Sequence, residues 1–514
     1  MAGNDACVKK AKVLIAVLLP VALGALAAVK LFFDSPGWGD EIYTADTAVN
    51  LALYGERISY NWPYSYHPLH LWLLTPWLKA FGVSHFSVCF FDVLWAVAAC
   101  IAVNVILLRR QILRSACAVL LFDLLFWGGA NILWTILSGR IDALVLFWTV
   151  LTVDALLAPA MDEGRQRIKL GLCAFALSLA GIYSIPLIGA LWLLALARAG
   201  EGRSQLFVRG LVCACAGVCA FAVVCGYYLW HQAVFRYLYT TFWHCSTLSG
   251  QRIGSAASWD NCYLVEPAAL VGYVAVLVVC WRWARRETNW GLLLFVGAIP
   301  GLMVLFGRYA HYYHWLFYLP TAVGLCWAWQ KMPSAFWRVG VLAVGILYFG
   351  WNEVVWFANH AERPYVESQR AFQAFANRNK SRLQAGADVV LTSMWYYYPA
   401  VKLGLRPWMR EPAFRNQFLR TTEMQIENAL ETRIGDPVLR EKVRKAIARL
   451  EKITSVRFPE GGYLMAHDED AARALGEVLE RLGYGVSEVD RQDPFILLHF
   501  CRQPAGQALE VTNG

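Results

Sequence analysis

Charge is what this sequence has least of. Only 16% of its 514 residues are Asp, Glu, Lys or Arg, against roughly 25% in an ordinary soluble domain. Hydrophobic residues make up 58%, and mean hydropathy is +0.42. A soluble enzyme is thereby excluded for most of the length. Other absences narrow the function further. The net charge is +9, yet there is no concentrated basic stripe, so nucleic acid is not an expected partner. No G-x-x-x-x-G-K-[ST] or G-x-G-x-x-G loop follows a strand, which argues against ATP-driven transport. No C-x-x-C or His/Cys ligand spacing signals a structural metal. Internal repeats are missing, and with them the matched halves and broken helices of a secondary transporter.

What the chain does have is apolar runs near the ~20 residues that cross a bilayer. The pattern predicts about eleven crossings, at roughly 13–33, 86–107, 115–133, 142–158, 168–183, 185–198, 208–230, 263–281, 289–306, 312–329 and 339–357. The fifth and sixth are short enough to be re-entrant. Basic residues support the count, because short cytoplasmic loops hold the excess of Lys and Arg. Lys9, Lys10 and Lys12 precede the first run, Arg109, Arg110 and Arg114 follow the second, and Arg165, Arg167 and Lys169 follow the fourth. Arg198, Arg203 and Arg209, then Arg282, Arg285 and Arg286, then Lys331 and Arg338 continue the series. The N-terminus is therefore expected in the cytoplasm and the C-terminus outside. The ALA at 25–27 would suit a signal peptide, but the run it ends is longer than a usual h-region.

Three parts follow. An outer loop, 34–85, leads into a membrane body ending at 357, and residues 358–514 change composition sharply into a soluble α/β domain. There VVLTS (389–393), GYLMA (462–466) and PFILLHF (494–500) read as strands. TEMQIENAL, EKVRKAIARLEKI and DEDAARALGEVLERLGY have helical spacing with acidic starts and basic ends. Most of the 14 cysteines sit in apolar runs; Cys245 and Cys262 share an outer loop and are candidates for a disulfide.

The polar groups beside these runs carry the chemistry. In GWGDEIYTADTAVNLALYG, Ile42, Ala45, Val49, Ala52 and Leu53 form one helical face and Tyr43, Asp46, Asn50 and Tyr54 another. This predicts a helix lying in the membrane interface with its polar face to a cavity. Asp40 and Glu41 open it, either capping and complementing the helix or serving as reactive carboxylates. Tyr60, Trp62, Tyr64, Tyr66, His67 and His70 follow, as an interfacial belt or as hydrogen-bonding groups around the carboxylates. Asp142, two residues after Arg140, opens the fourth run at the same membrane face, either as a neutralised pair or as a second acid sharing a pocket with Asp40. Arg308, His311 and His314 in GRYAHYYHW, together with Arg252, could bind a phosphate or act as belt residues. Asp123 lies mid-run in LLFDLLFW, where a carboxylate costs about 2.5–3.5 kcal/mol to insert. It is expected to be protonated or paired between helices, without chemistry.

The DE pair opening DEIYTADTAVNLALYG, the following HPLHLWLLTPWLKAFGVSHFSV, R-x-D at Arg140 and Asp142, GIYSIP, and R-Y at Arg308 and Tyr309 resemble the polytopic GT-C glycosyltransferases. Within them the nearest groups are the protein-mannosyltransferase-like enzymes, the lipid A aminoarabinose transferases and the rhizobial galacturonosyltransferases. The sequence departs from them in having HPL where many have a double proline, and in lacking the basic residues often found after FG-V-S and at the fifth-to-sixth turn.

The resemblance implies a GT-C membrane body with an outer C-terminal α/β domain, in a bacterial inner membrane. It implies inverting transfer from a polyprenyl-phosphate sugar to a hydroxyl of a lipid (lipid A among them), glycan or protein. By analogy Asp40 is the general base, Asp142 the second acid and Glu41 a support or alternative base. Arg308, then Arg252 and Arg140, would face the phosphate, with Tyr309, Tyr66, His67, His311 and His314 as weaker candidates. The resemblance implies no definite cofactor; a carboxylate with a nearby histidine is a candidate divalent-metal site. An O-antigen ligase or polymerase using diphosphate-linked donors, or a lipid or solute transporter, is the alternative.

Overall fold

The computed structural model describes residues 2–34, 39–55, 68–158, 162–181, 184–198, 202–230, 315–409, 436–442, 445, 459–481 and 483–503. Its helical body comprises α1 (Ala2–Lys30), α2 (Gly39–Leu53), α3 (Pro68–Phe81), α4 (His85–Arg109), α5 (Ala116–Gly128), α6 (Ala130–Leu137), α7 (Asp142–Leu157), α8 (Glu163–Ala180), α9 (Ile185–Arg198), α10 (Arg203–Trp230), α11 (Trp315–Gln330) and α12 (Ala335–Asn359). Among the described residues, four stretches are long and apolar enough to cross a membrane: Lys12–Lys30, His85–Arg109, Arg203–Trp230 and Ala335–Asn359. The runs expected at 263–281 and 289–306, and the Cys245/Cys262 pair, lie outside the described residues.

Local chemistry sets the helix ends. Ser84 and Ser115 cap α4 and α5, each hydroxyl accepting from a backbone N–H three residues on. The run expected at 115–133 is not one helix. The chain turns extended at Gly129, splitting it into α5 and the short α6, where two adjacent glycines weaken helix propagation.

The basic ends converge as the charge pattern predicts. At the foot of α4 and α7, Asp154 accepts from Arg109 at 2.5 Å and Arg110 at 2.9 Å, with Lys169 of α8 at 3.4 Å. Arg209 of α10 donates to the carbonyls of Leu156 (3.0 Å) and Ala158 (2.7 Å) that end α7. Helices α4 and α7 therefore run the same way, and their N-termini share the opposite end of the bundle. Mid-bundle, Asp123 is paired between helices as expected, accepting from Asn104 of α4 at 2.9 Å and from Cys100 at 3.1 Å.

Beyond the membrane helices, α13 (Pro364–Arg378) leads into a mixed five-stranded sheet, order β2-β1-β3-β5-β4. Strand β1 (Asp388–Leu391) is parallel to β2 (Arg406–Met409) and β3 (Gly461–Ala466), while β5 (Phe495–Arg502) is antiparallel to β3 and β4 (Tyr484–Gln492). Helix α14 (Tyr397–Lys402) joins β1 to β2, and α15 (Glu469–Arg481) follows β3. Period-two alternation gives the sheet two cores. Val390, Leu464, Ile496, Leu498 and Phe500 pack on α15, while Val389, Leu391, Met465, Phe495 and Leu497 face α13 and α14. The sequence misses β2 and β4: the first is four residues long, and the second, YGVSEVDRQ, is a half-exposed edge with little apolar content.

The second of these cores continues into the membrane body. Ile42, Ala45, Ala48 and Val49 of α2, with Leu71, Leu74 and Leu78 of α3, belong to one buried cluster with Phe372, Tyr397 and Leu497. This corrects the interfacial expectation for α2. Its apolar face is buried in protein rather than laid in lipid: it packs with α3, in a cluster that residues of the C-terminal α/β domain share. Its polar face is used there too: Asp46 accepts from the Tyr397 hydroxyl at 2.7 Å and from Asn50 at 3.3 Å, and the Tyr54 hydroxyl donates to the Leu405 carbonyl at 2.9 Å.

Candidate active site

The start of α2 meets the starts of α4 and α7 at the end of the bundle opposite Asp154. Helix α2 runs from Gly39, so Asp40 stands in its first turn; the Asp40 side chain is outside the described residues. Glu41 is 2% exposed, and one oxygen, Oε1, accepts twice: from His85 Nδ1–H at 2.8 Å and from the Tyr398 hydroxyl at 2.5 Å. Burial, reinforced by the nearby Glu41 charge, pushes the Tyr398 phenol well above its usual range. Tyr397 is raised the same way, by burial and then by Asp46. Both hydroxyls therefore keep their protons and act as donors towards α2.

The turn before α7 closes over this group. Gly139 adopts φ +64°, and a Cβ there would stand 2.8 Å from Glu41 Cγ and 3.3 Å from Cys89 Sγ. Only glycine satisfies both the left-handed backbone and the contact. Gly139→Ala is accordingly expected to destabilise the protein by about 1–2 kcal/mol from backbone strain alone and to displace Glu41. A lowered melting temperature of the detergent-solubilised protein measures it; an unchanged one would mean the turn relaxes freely.

Asp142, 1% exposed, is held by Arg140 Nε at 2.8 Å. The neutralised pair is thus real, and it sits at the same end as Glu41. Asp92, on the same side of α4 and within electrostatic range of both Asp142 and Glu41, faces His70 Nε2 of α3 at 3.4 Å. His70 is therefore buried against Asp92 and is not a belt residue. The other phosphate candidates, Arg308, Arg252, Tyr309, Tyr66, His67, His311 and His314, lie outside the described residues.

Sequence reasoning missed three participants. His85 and Cys89 stand one turn apart in SHFSVC and project from one face of α4. Cys89 Sγ is 3.6 Å from His85 Nδ1, so a His-x-x-x-Cys spacing was legible although the carboxylate beside it was not. Tyr398 belongs to the tyrosine run SMWYYYP, whose density directly after a strand was its only signal.

No family model matches the sequence, and no curated protein matches it. Solved structures do. ArnT from Cupriavidus metallidurans in the apo state has a TM-score of 0.61 at 14% identity, covering 94% of this chain and 97% of its own. The same protein bound to undecaprenyl phosphate gives the same values, 0.61 and 14%, over the same 94% and 97%. An Archaeoglobus fulgidus oligosaccharyltransferase tethered to an acceptor peptide reaches a TM-score of 0.46 at 12% identity, over 87% of this chain and 68% of its own. The described helices and the C-terminal α/β domain thus share the polytopic helical fold of the ArnT structure.

Proposed function

We propose that the protein is an inverting glycosyltransferase that moves a sugar from a polyprenyl-phosphate donor to an acceptor hydroxyl at the outer face of a bacterial inner membrane. The observation that carries this is the meeting of two acid-bearing helix starts, α2 and α7, at the end of the bundle away from the Arg109–Arg110–Asp154 cluster. Short basic loops mark the cytoplasmic side, so the acids belong outside. The ArnT structure of the same fold holds undecaprenyl phosphate, a lipid whose phosphate would lie at such a surface.

In this reaction the acceptor oxygen attacks the anomeric carbon while the bond from that carbon to the phosphate oxygen breaks. The acceptor proton passes to Asp40, and the polyprenyl phosphate leaves as an anion without needing a proton. Positive charge is needed where the phosphate's charge develops, the role assigned to Arg308, then Arg252 and Arg140, with Tyr309, Tyr66, His67, His311 and His314 around them. Asp142, fixed by Arg140, orients the acceptor or tunes Asp40. Glu41 supports the site, since its Oε1 is committed to His85 and Tyr398.

Membranes containing the protein should form product from a synthetic polyprenyl-monophosphate sugar and none from the matching nucleotide sugar. Turnover with the nucleotide sugar would overturn the proposal. Turnover with a diphosphate-linked donor alone would move the protein to the ligase or polymerase class.

A further inference from the structure

We propose that Glu41, His85 and Cys89 bind a single divalent transition-metal ion of the zinc type. Among the described residues this is the one place where three such donors converge, with one ligand atom each of Glu41, His85 and Cys89 all within 4.8 Å of one another. Two of the separations are close to those of a zinc shell. His85 Nδ1 stands 2.8 Å from the Glu41 oxygen and 3.6 Å from the Cys89 sulfur. Zinc bonds of about 2.0–2.3 Å in tetrahedral array set neighbouring donors roughly 3.3–3.6 Å apart. The nitrogen and sulfur are already at that spacing, and the nitrogen and oxygen need to part by only about half an ångström, once the proton between them is replaced by the ion.

The surroundings are those of a built site. Glu41 and Cys89 are 2% and 0% exposed, and His85 12%. His85 and Cys89 are locked one turn apart on α4, whose first turn Ser84 caps. The Tyr398 hydroxyl donates to the same oxygen that would ligate the ion, as outer partners do at metal sites, where they fix a ligand's orientation. Gly139 leaves clear the space that a side chain would take from both Glu41 and Cys89.

The donor set selects the ion. One thiolate, one imidazole and one carboxylate suit zinc, cobalt or copper, whereas magnesium and calcium take oxygen donors. On binding, the Cys89 thiol proton goes to solvent, the ring proton moves from Nδ1 to Nε2, and the carboxylate contributes a lone pair. Three protein ligands leave the fourth tetrahedral position to water. The site stands on this geometry alone and holds whether or not the chain transfers sugars.

Purified full-length protein, stripped with chelator in detergent, should bind one equivalent of Co2+. It should then show thiolate-to-cobalt charge transfer in the near ultraviolet and the intense visible bands of tetrahedral cobalt, both displaced by Zn2+. Cys89→Ser should lose the charge-transfer band, and His85→Ala should weaken binding at least tenfold. Cys117→Ser, at an exposed cysteine elsewhere, should change neither. X-ray absorption at the zinc edge of the wild-type protein gives a measure free of folding defects, with one sulfur and two or three nitrogen or oxygen neighbours expected. A zinc shell without sulfur, no stoichiometric Co2+ binding, or a charge-transfer band that persists in Cys89→Ser would each overturn the site.

Discussion

Asp40→Asn is expected to lower sugar transfer in membranes by about 10²–10⁴-fold, the usual contribution of a positioned general base, while leaving expression and detergent melting near wild type. Asparagine keeps the size of the side chain and its fitness for a helix start, so only proton acceptance is removed. Residue 40 stands one place before Glu41 in the first turn of α2, and this contiguity supplies the control. Glu41→Gln should perturb stability as well as rate, because Oε1 takes hydrogen bonds from His85 and Tyr398. Wild-type turnover in Asp40→Asn with none in Glu41→Gln would transfer the base role to Glu41.

The largest effect on stability is expected at Lys30→Met. The Lys30 ammonium, 1% exposed at the end of α1, bonds Glu353 of α12 at 2.7 Å and lies 5.1 Å from the Trp356 ring centroid. Removing it leaves a carboxylate uncompensated between two apolar helices, which in buried pairs costs about 3–5 kcal/mol. The double variant Lys30→Met, Glu353→Leu removes both charges and should recover most of the loss, since replacing a whole buried pair by apolar groups is often neutral. Melting of the four proteins in one detergent measures the cycle. A single variant within about 1 kcal/mol of wild type would show that water or lipid headgroups already solvate the pair.

How legible each feature was depended on how far apart its partners lie in the chain. The four long apolar helices could be read because length and apolarity belong to each segment alone, and Arg109, Arg110, Lys169 and Arg209 duly gather at one end. Arg140 and Asp142, two residues apart, could be read as a pair for the same reason. Three of the strands announced themselves by β-branched and aromatic content, whereas the polar edge β4 did not. Glu41 with Tyr398, Asp46 with Tyr397 and Lys30 with Glu353 join residues more than 300 positions apart, and no local periodicity encodes such contacts. The misplacement of α2 has the same origin: an amphipathic stripe looks alike whether lipid or protein covers it.

The tyrosines that grip α2 also set a timetable for biogenesis. Tyr397 and Tyr398 lie 351 and 357 positions after the carboxylates they hold, and at about 5–20 residues per second a ribosome needs roughly 20–70 s to make that stretch. A nascent chain thus carries its acidic helix through most of its own translation with the covering tyrosines still unmade. The constellation at the bundle mouth closes only when the last quarter of the polypeptide has arrived and folded, so an unfinished copy in the membrane has Glu41 and Asp46 without those bonds.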